Sequence, residues 1–195
     1  MNIGIFGGSF DPPHQGHLEV ARAAQRHAQL DKVLFIPAKQ NPFKEEIPHA
    51  ADEFRIEMIQ ALIEMDPLFL IDERELQRPS PSYTIDTIRT LSAEFPQDKL
   101  FLIIGSDSLQ SLSKWKDSDE ICKLIAGLIV YPRKGFRIEK PHFVSPSQFY
   151  PLDCKLLDES SSELRSLLSS SNQTALERSF PEKILSIIQK NHLYS

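Results

Sequence analysis

The chain has 195 residues, enough for one domain with a full hydrophobic core, and its 41% apolar and 25% charged residues are an ordinary soluble composition. With 22 Lys+Arg against 27 Asp+Glu the net charge is -5, which argues against a general nucleic-acid binder but allows a local basic pocket for a small anion. No apolar run is long enough to span a bilayer, no basic-then-apolar leader precedes the first strand, and Cys122 and Cys154 lack metal-ligand spacing, so the expectation is a cytoplasmic protein without membrane or nucleic-acid partners.

Ile3 to Phe6 is a short apolar run, broken by Gly7-Gly8-Ser9-Phe10-Asp11-Pro12-Pro13-His14-Gln15-Gly16-His17. Paired glycines, a proline-marked turn and a helix start predict strand, turn, helix, with the two histidines where the helix begins. Val20, Ala21, Ala24 and Ala28 continue that helix from Leu18 to about Gln29. Lys32 to Pro37 reads as a strand buried on both faces, completing a βαβ unit. Ala38 to Ala51 has two prolines and little periodicity, and its length favours a functional loop.

Asp52 caps a predicted helix with a stripe of Phe54, Met58, Ala61, Leu62 and Met65. Phe69 to Leu76 reads as a more polar strand near a sheet edge, and the turn from Arg78 to Thr84 opens a helix with Ile85, Ile88, Leu91 and Phe95 on one side. Leu100 to Ile104 is the most central-looking strand, ended by Gly105-Ser106-Asp107. A short segment to Trp115, a helix over Asp119 to Ile125 and a strand over Leu128 to Tyr131 follow. Arg133 to Tyr150 is a proline-rich surface segment; then come a short strand at Lys155 to Leu157, a helix from Ser160 to about Ser169, a polar break at Ser170 to Thr174, and a closing helix with Pro181 in its first turn and Ile184, Leu185 and Ile188 inward. The alternation predicts an α/β fold: one domain over 1–195, a mostly parallel sheet with helices on both faces, and a closing helical segment over about 160–195.

Gly7 and Gly8 let backbone approach a phosphate closely. A helix N-terminus adds free N–H groups and partial positive charge. His14 and His17, three apart, bring both rings to one side, a donor cluster suited to charge developing on a transferring phosphoryl group. One histidine capping while the other packs, or the pair binding a metal with Asp11, remain open alternatives. Ser161 and Arg165 are four apart and share a helix face on which hydroxyl and guanidinium can hold one phosphate, although Ser160-x-x-Glu163 is also a capping box. Asp107, just past a central strand, can accept from ribose hydroxyls. Trp115 is the single tryptophan and offers a flat face to a ring. Thr84 can serve an anion or act as an N-cap.

The G-G-S-F-D-P-P-H-Q-G-H stretch resembles the H-x-G-H signature of the nucleotidyltransferase superfamily, and Ser160-Ser161-Ser162-Glu163-Leu164-Arg165 resembles its second signature. Within it the chain is most similar to the bacterial nicotinate-mononucleotide adenylyltransferases, through 37–44, 55–62, 73–87 with its P-S-Y-T, I-I-G-S-D at 103–107, Trp115 and the closing Leu193-Tyr194. The resemblance implies a Rossmann-like doubly wound fold and transfer of AMP from ATP to nicotinate mononucleotide with Mg2+, giving nicotinate adenine dinucleotide and pyrophosphate. It assigns catalysis to His14, His17, Lys44 and Arg165. ATP binding falls to Gly7, Gly8, Ser9, Phe10, His17, Gly105, Asp107, Ser160, Ser161 and Arg165, and nicotinate mononucleotide binding to Lys44, Tyr83, Thr84, Trp115 and Arg133, with no protein-held metal.

Three positions depart from the family pattern: Phe43 where a histidine is common, Glu159 where an apolar β-branched residue precedes the serines, and Ser9 for threonine. Alternatives are nicotinamide mononucleotide or another phosphate acceptor, phosphopantetheine included, a non-catalytic nucleotide sensor, and a metallohydrolase using Asp11, His14 and His17. A homo-oligomer is compatible with the sequence.

Overall fold

The computed structural model describes residues 1–43, 47–153, 160–168 and 173–194. The apolar run at the start forms β1 (Asn2–Gly8), and the glycine-rich turn leads into α1 (Gln15–Ala28) and β2 (Lys32–Pro37). Then come α2 (Asp52–Ile63), β3 (Phe69–Ile71), α3 (Thr84–Glu94), β4 (Lys99–Gly105), α4 (Ser106–Ser111), α5 (Ser118–Leu124) and β5 (Gly127–Tyr131). The chain closes with β6 (Phe149–Pro151), α6 (Ser161–Leu168), α7 (Gln173–Ser179) and α8 (Glu182–Lys190).

Among the described residues six strands pair in parallel, in the order β3-β2-β1-β4-β5-β6. This is the doubly wound Rossmann arrangement, and the order reverses between β1 and β4, where such sheets open a crevice at their carboxyl ends. The apolar runs alternate sides as strand geometry requires. Phe6, Val33, Phe35, Phe101 and Ile129 pack on the face covered by α1, α2 and α8, while Ile3, Ile5, Leu34, Ile36 and Leu102 pack on the face covered by α3 and α5. No helix among the described residues is long and apolar enough to cross a membrane.

Several elements differ from their sequence reading for local physical reasons. The strand expected over 69–76 stops at Ile71, because the Asp72 carboxylate accepts both the backbone N–H and Nε of Arg74 and folds the chain into a turn. It does lie at a sheet edge. The buried face of α2 is Arg55, Met58, Ile59, Leu62 and Ile63, one residue round from the expected stripe, and Met65 lies past the helix end, 84% exposed. The last strand is Phe149–Pro151, inside the segment read as surface chain; Pro151 pairs opposite Val130 at the other sheet edge, where its missing N–H is tolerated. The strand expected at Lys155 to Leu157, together with Cys154 and Glu159, lies outside the described residues. Between the serine-rich helix and the closing helix stands α7, which overlaps the expected polar break because Leu176 and the following Phe180 are buried in the core. Pro181 precedes α8 as its cap residue, and Ile184, Leu185 and Ile188 are buried as expected.

Candidate active site

β1 delivers Gly7 and Gly8 to the crevice, and the turn after it is held by buried groups. Phe10 adopts a left-handed φ of 47° and turns its ring into the core against Phe6, Phe35 and His17. A Cβ on Gly8 would sit 3.1 Å from that ring, so Gly8 is needed for the fold of the turn, while a Cβ on Gly7 would meet no protein atom within 4 Å. The Phe10 side chain is therefore part of the core. His14 caps α1 and His17 is in its first turn, with ring centroids 3.9 Å apart. Both imidazoles are held neutral: burial and the charge of Arg133 pull His14 down to about 3, and burial, His14 and Arg133 pull His17 well below the usual histidine range. The His14 N–H donates to Nδ1 of His17 at 3.2 Å, which in a neutral ring leaves the proton on Nε2. Neither ring nitrogen of His14 has a protein partner among the described residues, although both are buried.

The serine-rich helix meets the same turn. Ser161 Oγ donates to the carbonyl of Pro12 at 3.0 Å, and Arg165 Nη1 donates to the carbonyl of Asp11 at 2.6 Å. The two signatures, some 150 residues apart in sequence, thus share one site. Ser160 forms the capping box: its N–H and hydroxyl donate to Glu163 Oε2, and the Glu163 N–H donates to its Oγ.

A cavity of about 670 Å3 opens beside the turn, at the carboxyl ends of β1 and β4. Gly7, Gly8, Ser9, Phe43, Tyr83, Thr84, Gly105, Asp107 and Trp115 all line it. Thr84 is the first residue of α3, and Tyr83, not Thr84, is the cap residue, so the Thr84 hydroxyl is not engaged in capping. Trp115 and Phe43 stand with ring centroids 6.4 Å apart and planes inclined by 32°. Lys116 Nζ lies 4.5 Å above the Tyr83 ring. A Cβ on Gly105 would fall 2.3 Å from Asp107 Oδ1, so glycine there makes room for that carboxylate.

His14, His17, Phe10, Ser160, Ser161, Arg165 and Arg133 are outside the cavity lining. Arg133, expected with the mononucleotide, lies over the Tyr131 ring at 5.2 Å, donates to the Tyr131 hydroxyl, and is close enough to the histidines to depress both. Lys44 lies outside the described residues.

Two buried ionisable groups were not singled out by sequence. Arg55 is fully buried; Nη1 donates to the carbonyls of Ser9 (2.6 Å) and Ala38 (2.9 Å), and Nη2 to Asp52 (2.5 Å). It ties the glycine turn to the loop after β2. Its spacing to Met58, Ile59 and Leu62 on one helix face is the signal that could have found it. Glu75 lines the cavity and accepts the Thr87 hydroxyl at 2.7 Å; burial raises its pKa against the pull of Thr87, Ser82 and Arg78.

A Rossmann sheet with a histidine pair and a serine-rich helix on one glycine turn defines a nucleotidyltransferase class, and residues 5–167 match the cytidylyltransferase-like family. The chain is 37% identical to the nicotinate-nucleotide adenylyltransferase of Bacillus subtilis, covering 98% of this chain and 97% of that protein. It is 38% identical to a probable nicotinate-nucleotide adenylyltransferase of Thermus thermophilus, with 100% of both chains covered. The fold superposes on the Plasmodium falciparum nicotinic acid mononucleotide adenylyltransferase complexed with NaAD with a TM-score of 0.82, at 22% identity over 99% of this chain and 97% of that one. The chain belongs to the nicotinate-nucleotide adenylyltransferases within the cytidylyltransferase-like family.

Proposed function

We propose that this chain transfers AMP from ATP to nicotinate mononucleotide. The observation that carries the reading is the junction of the two signatures: a histidine pair and Arg165 on one glycine turn, opening onto a cavity lined by Thr84, Asp107 and Trp115. A phosphate oxygen of the mononucleotide attacks the α-phosphorus of ATP in line, the bond to the β-phosphate oxygen breaks, and nicotinate adenine dinucleotide and pyrophosphate leave. The attacking phosphate is already anionic near neutral pH, so no side-chain base is needed. Catalysis is alignment and charge stabilisation.

In this reading the neutral His17 donates from Nε2 to the transferring phosphoryl group, and His14, Arg165 and Lys44 add donors and positive charge along the phosphates. The N–H groups of Gly8 and Ser9 face the triphosphate, while Asp107 and Gly105 take the adenosine ribose. The pyridine ring stacks on Trp115, and its carboxylate meets the start of α3 at Tyr83 and Thr84, where unpaired N–H groups favour an anion. Mg2+ arrives with ATP as part of the substrate, bound through its phosphates. The Asp11 carboxylate is turned to His49, Ala50 and Tyr194, which favours this reading over a metallohydrolase built on Asp11, His14 and His17. We assign the reaction to the cytoplasm, where both nucleotides would be at hand.

The test is pyrophosphate release by the purified protein from ATP, Mg2+ and nicotinate mononucleotide. No release above a His17→Ala control overturns the proposal. Nicotinamide mononucleotide in competition distinguishes the amide from the acid, since the two differ at one group and the α3 start favours the anion.

A further inference from the structure

Asp11 sits within the phosphate turn but outside the cavity lining, and it is 3% exposed. Its Oδ1 accepts the N–H of Ala50 at 3.0 Å and the hydroxyl of Tyr194 at 2.8 Å. Its Oδ2 accepts the N–H of His49 at 2.8 Å, and the His49 ring Nδ1 stands 3.2 Å away. A carboxylate only accepts, so that nitrogen carries the proton in this contact. Four donors on two oxygens fill the roughly four lone-pair sites of the group. Burial opposes its charge, but the N–H groups of His49 and Ala50, the Tyr194 hydroxyl and the His49 ring outweigh it and hold the carboxyl below its usual range.

The donors come from two distant segments, the end of the loop after β2 and the tail after α8. Tyr194 itself has a left-handed φ of 63°, as does His192 at 50°, so the tail takes an uncommon backbone shape at the point where it presents that hydroxyl. Burial and the Asp11 charge push the phenol upward, so its proton stays on oxygen and donates. Meanwhile the main chain of the same residue holds the serine-rich helix, through Arg165 Nη1 on the Asp11 carbonyl at 2.6 Å. The same guanidinium nitrogen is 3.7 Å from Oδ2, beyond hydrogen-bond distance. It is nonetheless an ion pair, so the donors that fix Oδ1 and Oδ2 in place also fix the charge that Arg165 faces.

We propose that Asp11 is a positioning residue of the transfer site, and that Tyr194 completes its donor shell and so sets where Arg165 stands for the triphosphate. The inference rests on the ATP-dependent reading above. It makes the tail after α8 part of the phosphate site through one hydroxyl.

The experiment measures calorimetric binding of α,β-methylene-ATP with Mg2+, and steady-state pyrophosphate release, for the full chain, Tyr194→Phe, Asp11→Asn and the double variant. Tyr194→Phe is expected to weaken analogue binding about tenfold, as loss of a hydrogen bond to a charged group does. The KM for ATP rises with it, and the KM for nicotinate mononucleotide stays put. In the Asp11→Asn background the tyrosine change has no further effect, because the two act as one unit. Wild-type binding by Tyr194→Phe, equal losses in both backgrounds, or a parallel rise of both KM values would overturn the proposal. If Asp11→Asn does not fold, the KM split of Tyr194→Phe decides alone. Analogue binding needs no acceptor, so a protein that binds it yet releases no pyrophosphate fails the proposed function while the binding comparison still decides this inference.

Discussion

The imidazoles of His14 and His17 lie with centroids 3.9 Å apart and planes inclined by 48°, and the backbone N–H of His14 donates to His17 Nδ1. Two adjacent protonated rings would repel in a buried site, and burial removes the charge from both. What remains is a pair of neutral donors whose tautomer is set at His17 by a backbone N–H. His17→Ala is therefore expected to lower kcat about 10²- to 10³-fold, the usual loss for one donor to developing charge. If the contact strengthens only in the transition state, kcat/KM falls by the same factor, which steady-state pyrophosphate release measures directly.

Acid should destabilise the fold through these same rings. His14 titrates near 6.5 when unfolded but at about 3 in the folded chain, so between those values the unfolded state binds a proton that the native state does not. Stability is then full above about pH 6.5 and falls as pH drops toward 3, with His14 alone costing on the order of 2 kcal/mol at pH 5. His17 is shifted in the same direction and adds to the loss. Glu75 has the opposite sign: its raised pKa means the native state takes up a proton more readily on acidification, relieving part of the cost. The expected net result is a lower urea midpoint at pH 5 than at pH 7.5, with a shallower slope in His14→Asn.

Arg55 and Asp52 share an ion pair but differ in what their loss costs. Arg55 is fully buried, whereas the Asp52 side chain is 45% exposed. Arg55→Met leaves the carbonyls of Ser9 and Ala38 without their donor and should cost about 3 kcal/mol in urea unfolding, with weakened binding of both substrates because the turn and the loop are untied together. Asp52→Ala should cost less than Arg55→Met, on the order of 1–2 kcal/mol, because it strips the buried guanidinium of its counter-charge but leaves both carbonyls their donor.

Trp115 is the only tryptophan, so its fluorescence reports on the cavity alone. Nicotinate mononucleotide is expected to quench it and ATP by itself to leave it nearly unchanged. Phe43→Ala, which removes the ring 6.4 Å from the indole, should raise the mononucleotide KM about threefold to tenfold, the usual worth of an aromatic contact, with the KM for ATP unmoved. Phe43→His keeps a ring but adds a hydrogen-bond donor, and its KM measured beside Phe43→Ala separates the effect of the ring from that of a hydrogen bond.

Much of this was readable from residue order. Continuous apolar runs at Ile3, Lys32, Leu100 and Leu128 marked buried parallel strands, because a strand covered on both faces has no polar side to show. His14 with His17, and Ser161 with Arg165, were legible for the same reason: helical spacing alone puts such pairs on one side. Local spacing says nothing about partners 40 or 180 residues away. That Arg55 spans Ser9 and Ala38, that Arg133 stands close enough to the histidines to depress both, and that Asp11 gathers His49, Ala50 and Tyr194 were decided only when the sheet order brought those segments together. The glycine turn and its histidines were determined by local sequence; the shell of donors around Asp11 was not, because a buried carboxylate takes whichever donors the fold delivers to it.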